Sequence, residues 1–543
     1  MSKPSFDPVN KIWHGPKIPP IYNPNQNLGQ LILRILQQNQ DSVIQISADT
    51  GATVTCQQMH DQSIRIAKHL TICGKKEGDL IGFVTGNSEN LAPIVFACFA
   101  LGLPVNPLSP IMNEKDIVQM FTMTKPKMIF CDADNVKVVQ NAVDEMKSEA
   151  KVLTVMDKVD GHECATEILK EMEGESVYDF EFPSIDPNST AVVLCSSGST
   201  GFPKGICKSH KQLITNFQQL WPSTHKGIPI HFQYSPIFWL TGLYALIATI
   251  FYRSIRICSA KSLSPQQLVD TINKYKVTLL LVPPFVLVSL LQLENIKPLE
   301  TVQTVLVGGS VVSEQLCVKF RPYLPNGYIL VGYGCTEQDF LAVNYAKVSG
   351  CCGQAFINTE LKIIDESGTT LGPNSSGEIL AKRLVKFSGY IDDPEKTAEA
   401  FDDEWFKTGD IGYFDNNGNL FILDRKKEML KYNGYQVTPS EIEEIINNIK
   451  GVLSSCVVGV PKPNTGNDIL HAFVIFDDSC DITADYVLNY VNSKVIDVKR
   501  IRGGVHVVGS FPLGATGKVD RKKVREIAEA NFLCLNIAEN RQF

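Results

Sequence analysis

Between the apolar run Ala191-Val192-Val193-Leu194-Cys195 and Lys204-Gly205 stands Ser196-Ser197-Gly198-Ser199-Thr200-Gly201-Phe202-Pro203. Glycines let the backbone approach a polyanion and offer it N–H donors, the hydroxyls add O–H donors, and Lys204 adds positive charge. A Ser/Gly/Thr cluster standing alone would suit a flexible linker. The strand-like run ahead of it, the Pro203-Lys204-Gly205 exit and the partners downstream favour phosphate handling. The chemistry is not that of a P-loop NTPase, whose G-x-x-x-x-G-K-[ST] spacing fits neither Gly198 to Lys204 nor Gly514-Ala515-Thr516-Gly517-Lys518-Val519, where Pro512 occupies the place of the first glycine.

Such a loop must be carried by a sheet. From about residue 190 to 335 helical and strand patterns alternate at α/β spacing, which predicts a mainly parallel sheet. Residues 266–275 place Leu268, Ile272 and Tyr275 on one helical face, and 277–282 read as a strand stopped by Pro283-Pro284. Residues 302–307 read as another strand, 313–320 as a Ser-capped helix, and 327–331 as a strand ending in a Gly332-Tyr333-Gly334 turn. Ligands of open α/β sheets bind off the carboxyl ends of strands, so these Gly-bearing turns should converge on one crevice. Beyond residue 424 the pattern becomes a small α+β unit. It is predicted to hold a helix from Thr438 with a Thr438/Glu441 capping box, strands at 452–458 and 470–476, a helix at 484–495 and a strand near 504–508. The expected fold is therefore α/β: a large N-terminal domain with doubly wound, mainly parallel sheets (1–424) and a small mobile α+β C-terminal domain (425–543).

The 543 residues exceed what one core accommodates. A net charge of −7 gives no electrostatic footprint for nucleic acid or anionic membrane. Fifteen cysteines without C-x-x-C spacing argue against a disulfide framework or zinc site and for a reducing compartment, cytoplasm or peroxisome; Cys351 and Cys352 read as small packing residues. The N-terminus lacks a signal-peptide layout, and Arg541-Gln542-Phe543 is not an S-K-L-type address. The apolar stretches 91–105, 237–252 and 279–293 fall short of a membrane span and read as buried core.

Taken in order along nearly the whole chain, the motifs resemble the adenylate-forming superfamily of acyl-CoA synthetases, 4-coumarate:CoA ligases, beetle luciferases and peptide-synthetase adenylation domains, and in particular its insect luciferase-like fatty acyl-CoA synthetases. They are Ser196 to Gly205, Gly308-Gly309-Ser310, Tyr333-Gly334-Cys335-Thr336-Glu337, Gly377-Glu378 with Gly389-Tyr390, Trp405 to Asp410, Asp424-Arg425 through Lys431, Gly434 to Glu441, and Pro512 through Lys518. The residues suit the roles so implied. Tyr333 offers a flat face to adenine, and Gly308, Gly309, Ser310, Gly332 and Gly334 leave room for the base. Glu337 beside Thr336 suits Mg²⁺, and Asp410 can accept both ribose hydroxyls, a task the resemblance shares with Arg425. A cation bridging an entering carboxylate and the α-phosphate of ATP would aid their reaction. The resemblance makes Lys518 that cation, and brings Lys431 and Gly434 to the site, toward CoA, after rotation about Asp424, Arg425, Lys426 and Lys427.

Ser235-Pro236-Ile237-Phe238-Trp239-Leu240-Thr241-Gly242-Leu243 aligns with the superfamily's substrate-pocket wall, to which the resemblance adds Gly309, Gly332 and His210. It contains no Asp to hold an amino-acid ammonium. Trp239 stands where luciferases and 4-coumarate ligases carry His; its apolar face suits a hydrophobic acid, although a plain core tryptophan would look the same in sequence. His210 reads as structural or gating. Gly466-Asn467-Asp468 departs from the family's Gly-Glu and Pro pattern, in a loop expected to be peripheral. The expected activity is ATP-dependent ligation of a hydrophobic, fatty carboxylate to CoA with Mg²⁺, by a monomer or weak dimer. A light-emitting monooxygenase, an aryl-acid ligase and a nucleotide-binding protein without turnover are the rivals.

Overall fold

The computed structural model describes residues 4–170, 179–196, 204–218, 227–310, 312–345, 348–433, 435–462, 465, 467–477, 480–512 and 519–539. The chain forms two compact units. The first holds Ile12–Leu361 and Ala381–Phe406 with the chain start to Asp7, and the second holds Pro8–Lys11, Lys362–Leu380 and the chain from Lys407 onward.

Two sheets organise the first unit. In the nine-stranded sheet, Tyr328–Cys335, Thr304–Gly308, Leu279–Val282, Ile230–Phe232, Ile255–Cys258 and Val43–Ser47 lie side by side and parallel. The seven-stranded sheet runs Lys204–Ser209, Thr190–Ser196, Val105–Leu108, Ile81–Val84, Met128–Cys131, Lys151–Thr154 and Glu163–Cys164; only its first pair is antiparallel. A single core cluster draws on both sheets and on the helices Leu28–Gln37, Leu91–Leu101 and Leu240–Phe251. Leu91–Leu101 is buried at every position, as expected of a helix apolar on all faces, and it stops where Gly102 takes φ 70°. Among the described residues no helix is long and apolar enough to cross a membrane.

The helix Pro265–Tyr275 carries a complete Ser264/Gln267 capping box, and Ser313 caps Glu314–Phe320. Two expectations fail. Residues 332–334 are not a turn: strand Tyr328–Cys335 continues through them, paired antiparallel with Asp339–Val343 with a register shift between Tyr333 and Gly334. The glycines serve the pairing, since a Cβ on Gly334 would sit 2.1 Å from the Asp339 carbonyl oxygen. The helix Pro439–Asn447 begins at Thr438 without a side-chain cap: the Thr438 hydroxyl donates to Met429 Sδ at 3.8 Å, and the Glu441 carboxylate binds the Lys499 ammonium at 2.6 Å.

In the second unit Val452–Lys462 pairs antiparallel with Asn467–Phe476, which pairs parallel with Val505–Val507. Helices Pro439–Asn447 and Ala484–Lys494 pack into one cluster with these strands, and Val524 and Ala528 of the last helix pack into another. The strands and helices expected at 452–508 are therefore present, the first hairpin longer than its apolar run.

Burial pushes the pKa of His210 down to about 4 and that of His231, with help from Arg256, down to about 3. Both lie below the ~6.5 of a free imidazole, so unfolding at acid pH takes up protons that the folded chain excludes. Their stabilisation is complete above about pH 6.5 and is lost as pH falls toward 4, each contributing up to about 1.4 kcal/mol per pH unit. The urea midpoint of the first unit should drop between pH 7 and 5, and His231→Gln should flatten that dependence; an unchanged pH profile in the variant would contradict the assignment.

Candidate functional site

Strand Ile230–Phe232 has Leu279–Val282 on one side and Ile255–Cys258 on the other, so the connections wind in opposite directions from it. This is a switch point, and the carboxyl edge there is where an open α/β sheet offers a crevice. Gly308 and Gly332 face each other across adjacent strands at this edge: a Cβ on Gly308 would lie 2.6 Å from the Gly332 carbonyl oxygen. Gly309 has φ +89°, a conformation a side chain would strain. Tyr333 follows on the extended strand, partly buried, and Ser310 ends the neighbouring turn.

The expected phosphate loop lies mostly outside the described residues: Ser197, Gly198, Ser199, Thr200 and Gly201 are not described. Its base is. Ser196 and Lys204 are cross-strand partners. Burial pushes the flanking thiols of Cys195 and Cys207 up to about 11, which keeps them from acting as thiolates. Lys204 Nζ sits 4.4 Å from the ring centroid of Tyr390, and the Tyr390 phenol donates to Glu337 Oε1 at 3.0 Å.

The Thr336-Glu337 turn is held from beneath. Two residues on, Asp339 adopts φ 61° and its carboxylate meets the fully buried Lys208 ammonium at 2.6 Å, with the Asn216 amide on its other oxygen. Gln212 donates to the Glu337 carbonyl at 3.2 Å. Lys208, Asn216 and Asp339 drew no notice in the sequence, although a lysine two positions before His210, inside a strand, was the available signal. Among the described residues no cluster of three or more metal-ligating side chains exists. The partly buried Glu337 therefore fits a magnesium ion that keeps most of its shell from phosphate and water, not one caged by protein.

The segment after Ile230–Phe232 forms the candidate acid-binding wall. Trp239 is partly buried at the start of the helix Leu240–Phe251, where its carbonyl accepts from the Gly242 N–H at 3.0 Å. Gly242 packs so tightly that a Cβ would fall 2.0 Å from the Pro236 carbonyl oxygen; Thr241 beside it is partly buried. His210 is fully buried, its Nδ1 accepting from the Leu28 N–H at 3.2 Å, which puts its proton on Nε2. Gln233, at the head of the segment, is braced by the buried Arg256 guanidinium at 2.8 Å.

In the second unit Asp410 and Arg425 are cross-strand partners whose side chains meet at 2.8 Å, the carboxylate buried and the guanidinium exposed. Asp424 accepts from the Arg425 N–H at 2.7 Å and from the Ser440 N–H at 3.1 Å. It thus satisfies an N-terminal donor of helix Pro439–Asn447 that Thr438 leaves to others. Lys426 pairs with Glu378 at 2.6 Å, and Lys427 is exposed. Lys431 is placed by its backbone, paired with Gln436; Gly434 and Lys518 lie outside the described residues. Among the described residues around Lys518, Asp520 donates its N–H to the Pro512 carbonyl at 2.8 Å, and Arg521 binds Glu443 at 2.7 Å and Glu428 at 3.2 Å.

The model of the AMP-binding enzyme family matches residues 34–391, and that of the AMP-binding enzyme C-terminal domain matches 441–518. The luciferin 4-monooxygenase of Nipponoluciola cruciata is 29% identical, the alignment covering 89% of this chain and 90% of that protein. 4-Coumarate–CoA ligase 4 of Arabidopsis thaliana is also 29% identical, over 90% of this chain and 88% of its own. The ATP-bound crystal structure of MatB from Rhodopseudomonas palustris superposes with a TM-score of 0.83 at 25% identity, over 93% of this chain and 99% of that one.

Lys208→Met would remove the cation in contact with buried Asp339 and leave only the more distant influence of Arg383. It should cost about 3–5 kcal/mol in denaturant unfolding, and the double variant Lys208→Met/Asp339→Asn should recover part of that. Equal losses in the single and double variants would contradict the pairing.

Proposed function

The chain belongs to the AMP-binding enzyme family, and on that premise we propose that it is an ATP-dependent carboxylate:CoA ligase acting on a hydrophobic, fatty acid. The observation that carries the proposal is the junction of Lys204, Tyr390 and Glu337, which sets a cation for phosphate and a carboxylate for magnesium on one side chain. Magnesium held at Glu337 and Thr336 would supply charge neutralisation for the phosphates.

In the first half-reaction a carboxylate oxygen of the acid attacks the α-phosphorus of ATP. The Pα–O bond to the β-phosphate breaks and pyrophosphate leaves, giving acyl-AMP. Ser196 to Gly201 and Lys204 cradle the phosphates. Gly308, Gly309, Ser310, Gly332, Tyr333 and Gly334 receive the base, and Asp410 with Arg425 takes the ribose diol. Lys518 bridges the entering carboxylate and the α-phosphate. The part from residue 425 onward then swivels about Asp424 to Lys427, bringing Lys431 and Gly434 to the acyl-AMP. The CoA thiolate adds to the acyl carbonyl, the C–O bond to AMP breaks, and the thioester forms. Making AMP the leaving group avoids attack by a thiol on an unactivated carboxylate.

The acid's character rests on Ser235 to Leu243. That wall has no carboxylate to pair with an ammonium, and Trp239 presents an apolar face; His210, Thr241 and Gly242 complete it. An intracellular reducing location, cytoplasm or peroxisome, accords with fifteen cysteines scattered without C-x-x-C spacing. A luciferase-like monooxygenase is the second reading, favoured by the beetle-enzyme likeness; light from protein, luciferin, ATP and oxygen in a luminometer would support it. An aryl-acid ligase would be recognised by turnover of cinnamates over fatty acids in a CoA-dependent AMP-release panel.

Lys518→Ala should abolish acid-dependent ATP–pyrophosphate exchange while leaving thioester formation from supplied acyl-AMP within a few-fold of wild type. Unchanged exchange in that variant removes Lys518 from the first half-reaction.

A further inference from the structure

We propose that Tyr390 is the positioning residue that fixes Glu337 and Lys204 relative to one another and keeps their opposite charges from pairing; the inference rests on the ligase reading above. The backbone around Tyr390 is locked to the strand that bears Lys204. Ile391 N–H donates to the Gly205 carbonyl at 2.8 Å, Cys207 N–H donates to the Gly389 carbonyl at 2.9 Å, and Tyr390 bridges to Ile206. Gly389 turns the chain in with φ +115°, and the Tyr390 N–H donates to Thr397 Oγ1 at 2.9 Å. One edge of the ring packs into a small apolar cluster with Ile206, Phe387 and Phe406, the Phe387 ring T-shaped against it at 5.1 Å.

With the ring so fixed, its two polar capacities point to two functional groups. The π face holds the Lys204 ammonium at 4.4 Å from the centroid, and the phenol O–H donates to Glu337 Oε1 at 3.0 Å. An ionised carboxylate can only accept, so the phenol is the donor in this bond. No Lys204–Glu337 ion pair forms among the described residues. A direct pair would neutralise the charge meant for phosphate and occupy the carboxylate meant for the metal. Tyr390 instead engages Oε1 and leaves Oε2 as the oxygen it does not touch.

The test is calorimetric binding of α,β-methylene ATP to the full-length wild type, Tyr390→Phe and Tyr390→Leu, in EDTA and across a Mg²⁺ titration, with thermal unfolding recorded for each. Tyr390→Phe keeps the ring and loses the hydroxyl. It should match wild type in EDTA yet need roughly tenfold more Mg²⁺ for half-maximal enhancement of nucleotide binding, the worth of one hydrogen bond to a charged group. Tyr390→Leu should also bind more weakly in EDTA; if it fails to fold, the phenylalanine variant decides alone. A Tyr390→Phe protein with wild-type Mg²⁺ half-saturation, or one weakened equally with and without metal, overturns the proposal and leaves the ligase reading standing. Wild-type protein that binds no nucleotide in either condition sinks that reading itself.

Discussion

Lys208 and Asp339 form an ion pair shut away from water, and the first unit's site is built on it. Burying two charges costs several kcal/mol apiece before their attraction offsets it, so such a pair persists only with good geometry and satisfied lone pairs. Here the Asn216 amide supplies the extra bond. The pair joins the strand Lys204–Ser209 to the hairpin after Glu337, elements that belong to different sheets. Lys204 lies on the lysine's strand, and Thr336 and Glu337 come just before the aspartate. Tyr390 repeats the tie nearer the surface.

The second unit solves a comparable problem with its own carboxylates. Asp424 receives the N–H groups of Arg425 and Ser440, linking the strand that ends at Arg425 to the start of a helix. Arg521 gathers Glu428 and Glu443 just beyond the stretch that carries Lys518. Both Arg521 contacts are charge-assisted.

Much of this was legible in the residues. The apolar run at 191–195, the Ser264 helix and the Ser313 helix announce themselves through period and capping chemistry, and the glycine pairs mark where strands approach closely. Lys204 and Glu337 in the first unit, and Asp410 and Arg425 in the second, stand out in the sequence because their types suit the chemistry of nucleotide binding. What escaped was set by distant partners. Glu441 has capping-box spacing, yet Lys499, far along the chain, claims its carboxylate. Gly332-Tyr333-Gly334 has turn composition, yet the hairpin partner Asp339–Val343 extends it as strand. Lys208 looks like one polar residue in a strand until Asp339 is brought against it. Local pattern encodes elements; the charges that join elements become visible only once the chain is folded.

In the proposed ligase reaction a carboxylate oxygen of the acid attacks the α-phosphorus of ATP. Incubating the protein with ATP, CoA and a fatty acid labelled with ¹⁸O in both carboxylate oxygens, then weighing the AMP by mass spectrometry, follows that oxygen. Such attack leaves AMP carrying one ¹⁸O atom and unlabelled pyrophosphate. Thioester formed alongside unlabelled AMP, or label in a phosphate product other than AMP, would contradict it.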